Sequence, residues 1–279
     1  MIISRLRHSQ SCLHRLFFTT TTSRNVRLLS TGSNEATAGK FDTAAPPTEK
    51  LLVLGGNGFV GSHICKEALE HGLTVASISR SGRPSLNDSW TNNVLWLKGD
   101  LLSPDSLKHA FSEATAVISC VGGFGSNSHM YRINGTANIN AIKAAVEQGV
   151  KRFVYISAAD FGLVNYIIRG YYDGKRATEA ELTDKFPNGG VILRPGFIHG
   201  TRQVGNIKLP LSVIGAPLEM VLQHTKLLTR IPLIGPLFIP PVKVTSVAKV
   251  AVRAALDPQF TPGIVDVYGI RQHVHHKSA

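Results

Sequence analysis

The sequence of 279 residues predicts an α/β fold, a doubly wound parallel sheet with helices on both faces. From residue 50 onward, short apolar runs alternate with amphipathic segments, and parallel neighbours need such crossover segments. The first apolar run also ends in a cluster of glycines directly before a helical pattern. Hydrophobic residues make up 43% of the chain, which is enough to bury a sizeable core.

The predicted elements follow one another along the chain. Strands are expected at Leu51–Leu54, Thr74–Ser79, Val94–Lys98, Ala116–Cys120, Arg152–Ile156, Gly190–Leu193 and Ile264–Tyr268. Helices are expected at Gly61–Glu70, Ser103–Phe111, Gly135–Gln148 and Tyr171–Lys185. Ligands of such sheets bind at the carboxyl ends of the strands, so we expect the functional residues there.

The stretch LLVLGGNGFVG, residues 51–61, is the most informative part of the sequence. Its glycines separate a predicted strand from a predicted helix, the context in which a glycine motif indicates dinucleotide binding. Glycine lets the backbone turn and approach a pyrophosphate, which the N–H groups of the helix start then bind. A purely structural glycine turn is the alternative. The motif predicts cofactor contacts from Gly55, Asn57, Gly58, Phe59, Val60 and Gly61.

The loop after the second strand predicts which dinucleotide binds. NAD-selective sites place an acidic residue about twenty residues beyond the glycines, where it bonds to the ribose hydroxyls. Here the strand ends at Arg80, Ser81 and Arg83 follow, and the next acid is Asp88. Because arginine can pair with a 2′-phosphate through two charge-assisted hydrogen bonds, we expect NADP(H) in preference to NAD(H). A solvated basic loop is the alternative.

Two further strand ends are expected to line the same site. Asp100 and Leu101 follow the third strand, where the carboxylate can accept a hydrogen bond from the adenine amino group. Capping of the next helix is the alternative role for Asp100. The fourth strand ends in Cys120, Val121 and Gly122, small residues that let the backbone pass beside a ribose.

Residues 1–30 differ in composition from the rest of the chain. They are rich in Arg, Ser and Thr, and the first acidic residue of the chain is Glu35. This composition is typical of an organelle transit peptide, and we expect import into the mitochondrial matrix, with the chloroplast as the alternative. Residues 31–49 are small and polar, which indicates a flexible linker before a domain of residues 50–270. Residues 271–279 are expected to be a mobile tail.

Charge and cysteine content restrict the partners. The formal charge of +12 becomes +7 without the five arginines of residues 1–30. The remaining Lys and Arg residues do not alternate with aromatic residues, which argues against a nucleic-acid partner. Cys65 and Cys120 lack metal-ligand spacing, so we expect buried thiols in a reducing compartment and no metal site. No apolar run approaches the ~18 residues of a membrane span.

Several motifs together give the chain a family resemblance from residue 50 to about residue 270. GGNGFVG, GVKRFVYISA (Gly149–Ala158) and ILRPGFIHG (Ile192–Gly200) resemble three motifs of the extended or atypical short-chain dehydrogenases/reductases. The resemblance implies a Rossmann sheet and adds Pro195 to the cofactor contacts. VGGFG and GYYDGKRATE are most similar to two mitochondrial branches of the family. One branch is associated with coenzyme Q biosynthesis, and the other is the nucleotide-binding accessory subunit of respiratory complex I.

Catalysis in this family needs a Tyr–Lys pair four residues apart on a helix and a nearby serine. Tyr171 and Lys175 have that spacing, which puts both on one helix face. The resemblance implies that Lys175 binds the nicotinamide ribose and that Tyr171 exchanges a proton with the substrate carbonyl. Ser157 would orient the substrate. Active members, however, often end this strand with two hydroxyl residues, and here Ala158 follows Ser157.

The apolar, Pro- and Gly-rich residues 201–243 are expected to form the lid of a small C-terminal substrate subdomain. They also fit an apolar groove, or a peripheral membrane contact, for a quinone or another apolar lipid. Two functions follow. The single serine favours a catalytically silent, NADP(H)-bound protein that supports coenzyme Q synthesis or complex I assembly. The alternative is an active NADP-dependent oxidoreductase or epimerase that uses Tyr171 and Lys175.

Overall fold

The computed structural model describes residues 49–85, 88–103, 108–204, 207–210 and 238–275. The predicted transit peptide, nearly all of the predicted linker and most of the predicted lid therefore lie outside the described residues. Within these ranges, no helix is long and apolar enough to cross a bilayer.

The strands of the described residues form one large sheet and two small ones. They are β1 (Lys50–Leu54), β2 (Thr74–Ser79), β3 (Val94–Lys98), β4 (Ala116–Ser119), β5 (Arg152–Ile156), β6 (Gly190–Arg194), β7 (Ile198–His199), β8 (Thr201–Val204), β9 (Ile207–Pro210), β10 (Val242–Lys243) and β11 (Gly263–Asp266). The large sheet has the order β11–β6–β5–β4–β1–β2–β3, and all of its neighbours are parallel. β7 pairs with β10, and β8 pairs with β9.

Helices connect the strands and cover both faces of the large sheet. They are α1 (Phe59–Glu70), α2 (Lys108–Ser112), α3 (Asn127–Tyr131), α4 (Ala137–Glu147), α5 (Val164–Ile167), α6 (Arg169–Lys185), α7 (Val244–Leu256) and α8 (Val267–His275). A 3₁₀ turn at Ser89–Asn93 precedes β3, and a π-helical turn at Arg132–Thr136 leads into α4.

The two faces of the sheet have separate hydrophobic cores. Because side chains alternate along a strand, Leu51 and Val53 of β1 pack into the core that includes α1 and α7. Leu52 and Leu54 pack into the core on the other face, with residues of α4 and α6. All four side chains are buried. The predicted doubly wound α/β fold is confirmed.

In the described residues, the largest boundary difference lies near the C-terminus. The last strand ends at Asp266, where Ile264–Tyr268 was predicted, because Oδ1 of Asp266 accepts the N–H of Gly269 at 2.7 Å and caps α8. α8 continues through residues 271–275, which are part of the predicted tail, and the mobility of that tail stays a prediction. Of the predicted helix Ser103–Phe111, the described part is α2 at Lys108–Ser112, which ends one residue later than predicted, and residues 104–107 lie outside the described residues.

Candidate functional site

The loop between β1 and α1 depends on glycine for its shape. Gly55 has φ +82°, a left-handed conformation that favours glycine. A Cβ on Gly61 would lie 2.2 Å from the Gly55 carbonyl oxygen, and one on Gly56 would lie 2.3 Å from the Ser77 hydroxyl oxygen. Gly58 is exposed, and a Cβ there would meet the Gly55 oxygen at 3.2 Å. The turn therefore requires glycine at positions 55, 56 and 61. Gly58 is exposed, so the space outside it is open.

A groove of about 590 Å³ opens at the carboxyl ends of β1, β2, β3 and β4. Predicted cofactor residues from all four strand ends line it: Gly55, Asn57, Gly58, Arg80, Ser81, Asp100, Leu101, Cys120, Val121 and Gly122. Phe59, Val60 and Gly61 form the first turn of α1 directly after the loop, and Pro195 is buried after β6. Apolar Ile133 and Ala137 also line the groove but carry no sequence signal that distinguishes them from core residues.

Asn57 connects the glycine loop to the end of β2. Its Nδ2 donates to the Ser81 hydroxyl at 2.6 Å and to the Gly82 carbonyl at 3.4 Å. The Ser79 hydroxyl donates to the same Gly82 carbonyl at 2.9 Å. The exposed Arg80 lies between Ser79 and Ser81 in sequence and also lines the groove.

Arg83 points to a different part of the fold. Its guanidinium donates to the Thr91 hydroxyl at 3.2 Å and to Oδ1 of Asn92 at 2.5 Å, both on the 3₁₀ turn before β3. The two arginines that the sequence grouped together therefore have separate surroundings, and Arg80 is the one that lines the groove.

Asp100 shapes the loop after β3. Its Oδ1 accepts the N–H of Leu102 at 3.0 Å, and its carbonyl accepts the N–H of Ser103 at 2.9 Å. This local turn holds an exposed carboxylate at the groove, next to the buried side chain of Leu101. The hydrogen bond to Leu102 satisfies a backbone donor of this turn and not of a helix, since the first described residue of α2 is Lys108.

Lys175 of α6 is buried next to the groove. Its Nζ donates to the Ile156 carbonyl at 2.8 Å and lies 5.6 Å from the centroid of the Tyr171 ring. A Cβ on Gly122 would lie 3.3 Å from this Nζ, so the lysine is adjacent to the β4 end of the groove. Its side chain is 3% exposed, and this burial lowers the pKa of Lys175 to about 7.

The Tyr171 ring is covered by Phe124 of the loop after β4. The two rings stack with their centroids 4.9 Å apart and their planes 9° apart, while Phe124 remains 70% exposed. Burial, followed by the neighbouring Tyr172, raises the pKa of Tyr171 to about 12. The raised pKa makes it harder for the Tyr171 hydroxyl to lose its proton near neutral pH.

Ser157 belongs to a buried polar cluster. Its hydroxyl donates to Oε1 of Glu179 at 2.5 Å. Nε of Arg194 donates to the same oxygen at 3.0 Å, and Arg176 and Arg194 each form a further bond to this carboxylate. Since a serine has one O–H and Ala158 has none, neither residue offers a hydroxyl proton to a substrate in this arrangement.

Two buried asparagines, for which the sequence predicts no role, hold the loop after β4. Asn134 lies in the π-helical turn and Asn138 in α4, and both have side chains that are fully buried. Their amides bond to the backbone of Val121 and Gly123. A π-helical turn often marks a functional region, but the sequence pattern predicts an ordinary helix here.

Comparison with known proteins agrees with this geometry. The NAD(P)H-binding family model matches residues 55–210. A chloroplastic protein of Arabidopsis thaliana is 44% identical over 232 residues, which are 81% of this chain and 77% of that protein. MIOREX complex component 2 of Saccharomyces cerevisiae is 29% identical over 267 residues, 76% of this chain and 95% of the relative. The mitochondrial protein fmp-52 of Neurospora crassa is 30% identical over 168 residues, 58% of this chain and 69% of the relative.

Solved structures share the fold. The Bordetella bronchiseptica enzyme WbmH in complex with NAD+ matches with a TM-score of 0.56 and 21% identity, over 78% of this chain and 75% of that one. This likeness shows the fold. The match to the NAD(P)H-binding family model shows that the chain has a nucleotide-binding domain. The chain therefore belongs to the NAD(P)H-binding family of Rossmann-fold proteins related to the short-chain dehydrogenases/reductases.

Proposed function

We propose that this protein is an organellar NADP(H)-binding factor that performs no reaction of its own and supports coenzyme Q synthesis or the assembly of respiratory complex I. The observation that carries the proposal is the hydrogen bond from Ser157 to Glu179. It engages the serine hydroxyl, while the groove for the dinucleotide keeps its full set of glycines. The arrangement favours binding of the cofactor over turnover of a substrate.

The names of the relatives support a role in an organelle, as part of a protein complex. The yeast relative is named as a component of a complex, and the Neurospora relative is named as mitochondrial. The Arabidopsis relative is chloroplastic. We choose the mitochondrion because arginine is frequent from the start of the chain and acidic residues are missing from residues 1–34.

The preference for NADP(H) rests on the end of β2. Arg80 lines the groove, and the strand end carries no Asp or Glu that would bond to a 2′-hydroxyl and repel a 2′-phosphate. Ser81 is the next residue, and its hydroxyl oxygen accepts a hydrogen bond from Nδ2 of Asn57. A guanidinium beside hydroxyl groups suits a phosphate better than a neutral ribose.

An NADP-dependent oxidoreductase or epimerase for an apolar, quinone-like substrate is the second candidate. The observation in its favour is the position of Lys175, which contacts the Tyr171 ring and lies beside Gly122. A bound dinucleotide would place its reactive half at this end of the groove, where the family's lysine and tyrosine act. The lid that would select the substrate belongs mostly to the residues outside the described ranges.

Complementation of a knockout strain separates the two candidates. Tyr171→Phe removes only the phenolic oxygen, so a protein without catalytic activity should still complement. Gly58→Asp puts a carboxylate where the phosphate approaches, and repulsion should prevent cofactor binding and complementation. Asn93→Asp adds a carboxylate on the exposed 3₁₀ turn away from the groove and serves as the control for the added charge. Quinone content and assembled complex I are measured in each strain.

The expected result is complementation by Tyr171→Phe and Asn93→Asp and failure of Gly58→Asp. The quinone and complex I readouts then identify which of the two processes depends on the protein. Failure of Tyr171→Phe, in protein shown to be folded and NADPH-bound, would instead make the chain an oxidoreductase.

A further inference from the structure

The backbone after β4 is held from one side by two fully buried amides. Nδ2 of Asn134 donates to the Gly123 carbonyl at 2.8 Å, and Oδ1 of Asn134 accepts the Gly123 N–H at 3.3 Å. One side chain thus binds both polar groups of a single residue of the loop. A Cβ on Gly122 would lie 2.8 Å from the same Oδ1, so the clamp also explains why position 122 is glycine.

Asn138 continues the clamp toward the strand. Its Nδ2 donates to the Val121 carbonyl at 3.3 Å, and its Oδ1 accepts the Ser119 hydroxyl proton at 2.6 Å. The Ser119 oxygen in turn accepts the Val121 N–H at 3.4 Å. The loop is therefore fixed at every second residue, from Ser119 through Val121 to Gly123.

Asn134 is itself held by the rest of the fold and needs no ligand to stay in place. Its carbonyl accepts the Tyr155 hydroxyl at 3.1 Å and the Thr178 hydroxyl at 2.8 Å, and its Nδ2 also donates to Met130. These partners come from β5, α6 and α3. Asn134 therefore fixes the loop after β4 relative to the hydrophobic core.

The clamped loop lies at one particular end of the groove. All four of these groove residues follow strands: Val121 and Gly122 follow β4 on one side of β1, whereas Arg80 and Asp100 follow β2 and β3 on its other side. Lys175 lies beside Gly122. A dinucleotide whose pyrophosphate lies over the glycine loop extends one nucleoside to each side. The side of Arg80 receives the adenosine half, so the clamped loop receives the nicotinamide half.

We propose that Asn134 is a positioning residue for the nicotinamide half of the cofactor, which it places by fixing the Gly122–Gly123 backbone. The proposal rests on dinucleotide binding in this groove. It extends to Phe124, which follows the clamped residue and covers the Tyr171 ring. A loop that is free at Gly123 would lose both the nicotinamide contact surface and this stack.

The chain offers a matched control on the same stretch of helix. Nδ2 of Asn140 donates to the Leu101 carbonyl at 3.0 Å, so this asparagine holds the loop after β3 on the adenosine side. Both variants therefore remove a side-chain amide. Asn134→Ala removes it from the loop after β4, on the nicotinamide side of the groove, and Asn140→Ala removes it from the loop after β3, on the adenosine side.

The test compares whole cofactors with their adenosine halves. Calorimetry measures NADPH and 2′,5′-ADP, and NADH and 5′-AMP, on wild-type protein and on both variants. We expect Asn134→Ala to weaken the binding of whichever whole cofactor the wild type takes by about tenfold, and to leave its adenosine half within about twofold. Asn140→Ala should weaken the whole cofactor and its adenosine half alike.

Ser119→Ala is the second variant, because it removes one hydroxyl and leaves Asn134 in place. It should show the same selectivity as Asn134→Ala with a smaller loss, and it keeps the test valid if the asparagine variant does not fold. If Asn134→Ala weakened the whole cofactor and its adenosine half equally, Asn134 would not be a positioning residue for the nicotinamide half. The same result in Ser119→Ala decides the question if Asn134→Ala does not fold. In either case the proposal that the groove binds a dinucleotide would still stand. Wild-type protein that bound none of the four ligands would overturn this proposal and the proposed function together.

Discussion

The Ser157 hydroxyl and the Glu179 carboxylate form a 2.5 Å hydrogen bond between the end of β5 and the middle of α6. Glu179 is 5% exposed and is shared by Arg176 of its own helix and Arg194 of β6. The serine is therefore one of three donors to a carboxylate that joins three elements. This position suits a structural role better than a role in orienting a substrate.

Removal of the two partners should affect stability unequally. Ser157→Ala loses one hydrogen bond to a charged group that keeps both arginines, so the free energy of unfolding should fall by about 1–2 kcal/mol. Glu179→Ala leaves two half-buried guanidinium groups without their carboxylate, and we expect a loss of about 3 kcal/mol. Urea denaturation of both variants measures this difference. Similar losses for the two variants would show that the arginines find other partners.

The buried Lys175 should make the stability of the cofactor-free protein depend on pH. The folded protein holds the pKa of Lys175 at about 7, below the ~10.4 of an unfolded lysine. Between these values the unfolded chain binds one more proton than the folded one. The free energy of unfolding should therefore rise with pH across this window, by up to about 1.4 kcal/mol per unit, and the cost of burial is fully present below pH 7.

The control for this pH dependence is Lys175→Met, which keeps an apolar stem and cannot titrate. The difference in unfolding free energy between wild type and variant should change across pH 7–10, with wild type gaining as pH rises. The difference is measured by urea denaturation at several pH values. A difference that stays constant would mean that Lys175 is protonated in the folded protein throughout.

Substitution of two glycines of the loop should affect stability and cofactor affinity differently. A Cβ on Gly61 would lie 2.2 Å from a backbone oxygen, so Gly61→Ala must shift the turn and should cost about 1–3 kcal/mol or more. Gly58 has φ −80°, which alanine adopts readily, and its Cβ meets one oxygen at 3.2 Å. Gly58→Ala should therefore unfold at nearly the wild-type temperature yet bind the dinucleotide more weakly. Thermal melting and calorimetric titration of the two variants test this, and a lower melting temperature for Gly58→Ala than for Gly61→Ala would contradict it.

The acid-free start of the chain should direct import. A reporter that carries residues 1–45 should enter mitochondria, and its version with Arg5, Arg7, Arg15, Arg24 and Arg27 changed to Gln should not. Fluorescence microscopy with organelle markers distinguishes mitochondria from chloroplasts. A reporter that stays in the cytosol or is secreted would refute the transit peptide.

Local signals explain which parts of the fold and site were predictable. The apolar runs and the glycines before α1 are properties of neighbouring residues, and they correctly predict the parallel sheet. Most of the residues predicted to bind the cofactor line the groove at its strand ends. The partner of Ser157 is 22 residues away and depends on how α6 packs against β5. The clamp by Asn134 depends on a π-helical turn that has no clear sequence pattern. Such long-range polar contacts need the packed structure before they can be recognised.

The different surroundings of two arginines give the sharpest test of cofactor preference. Arg80 lines the groove, whereas the guanidinium of Arg83 is bonded to Thr91 and Asn92. Loss of one charge-assisted contact costs about 1.5–3 kcal/mol, so Arg80→Ala should weaken NADPH binding roughly tenfold to a hundredfold. NADH binding should barely change, because NADH has no 2′-phosphate. Arg83→Ala removes the same charge from the same loop and should leave the ratio of NADPH to NADH affinity unchanged. Calorimetric titration of both variants measures this ratio, and an equal loss of both cofactors in Arg80→Ala would show that this arginine does not contact the phosphate.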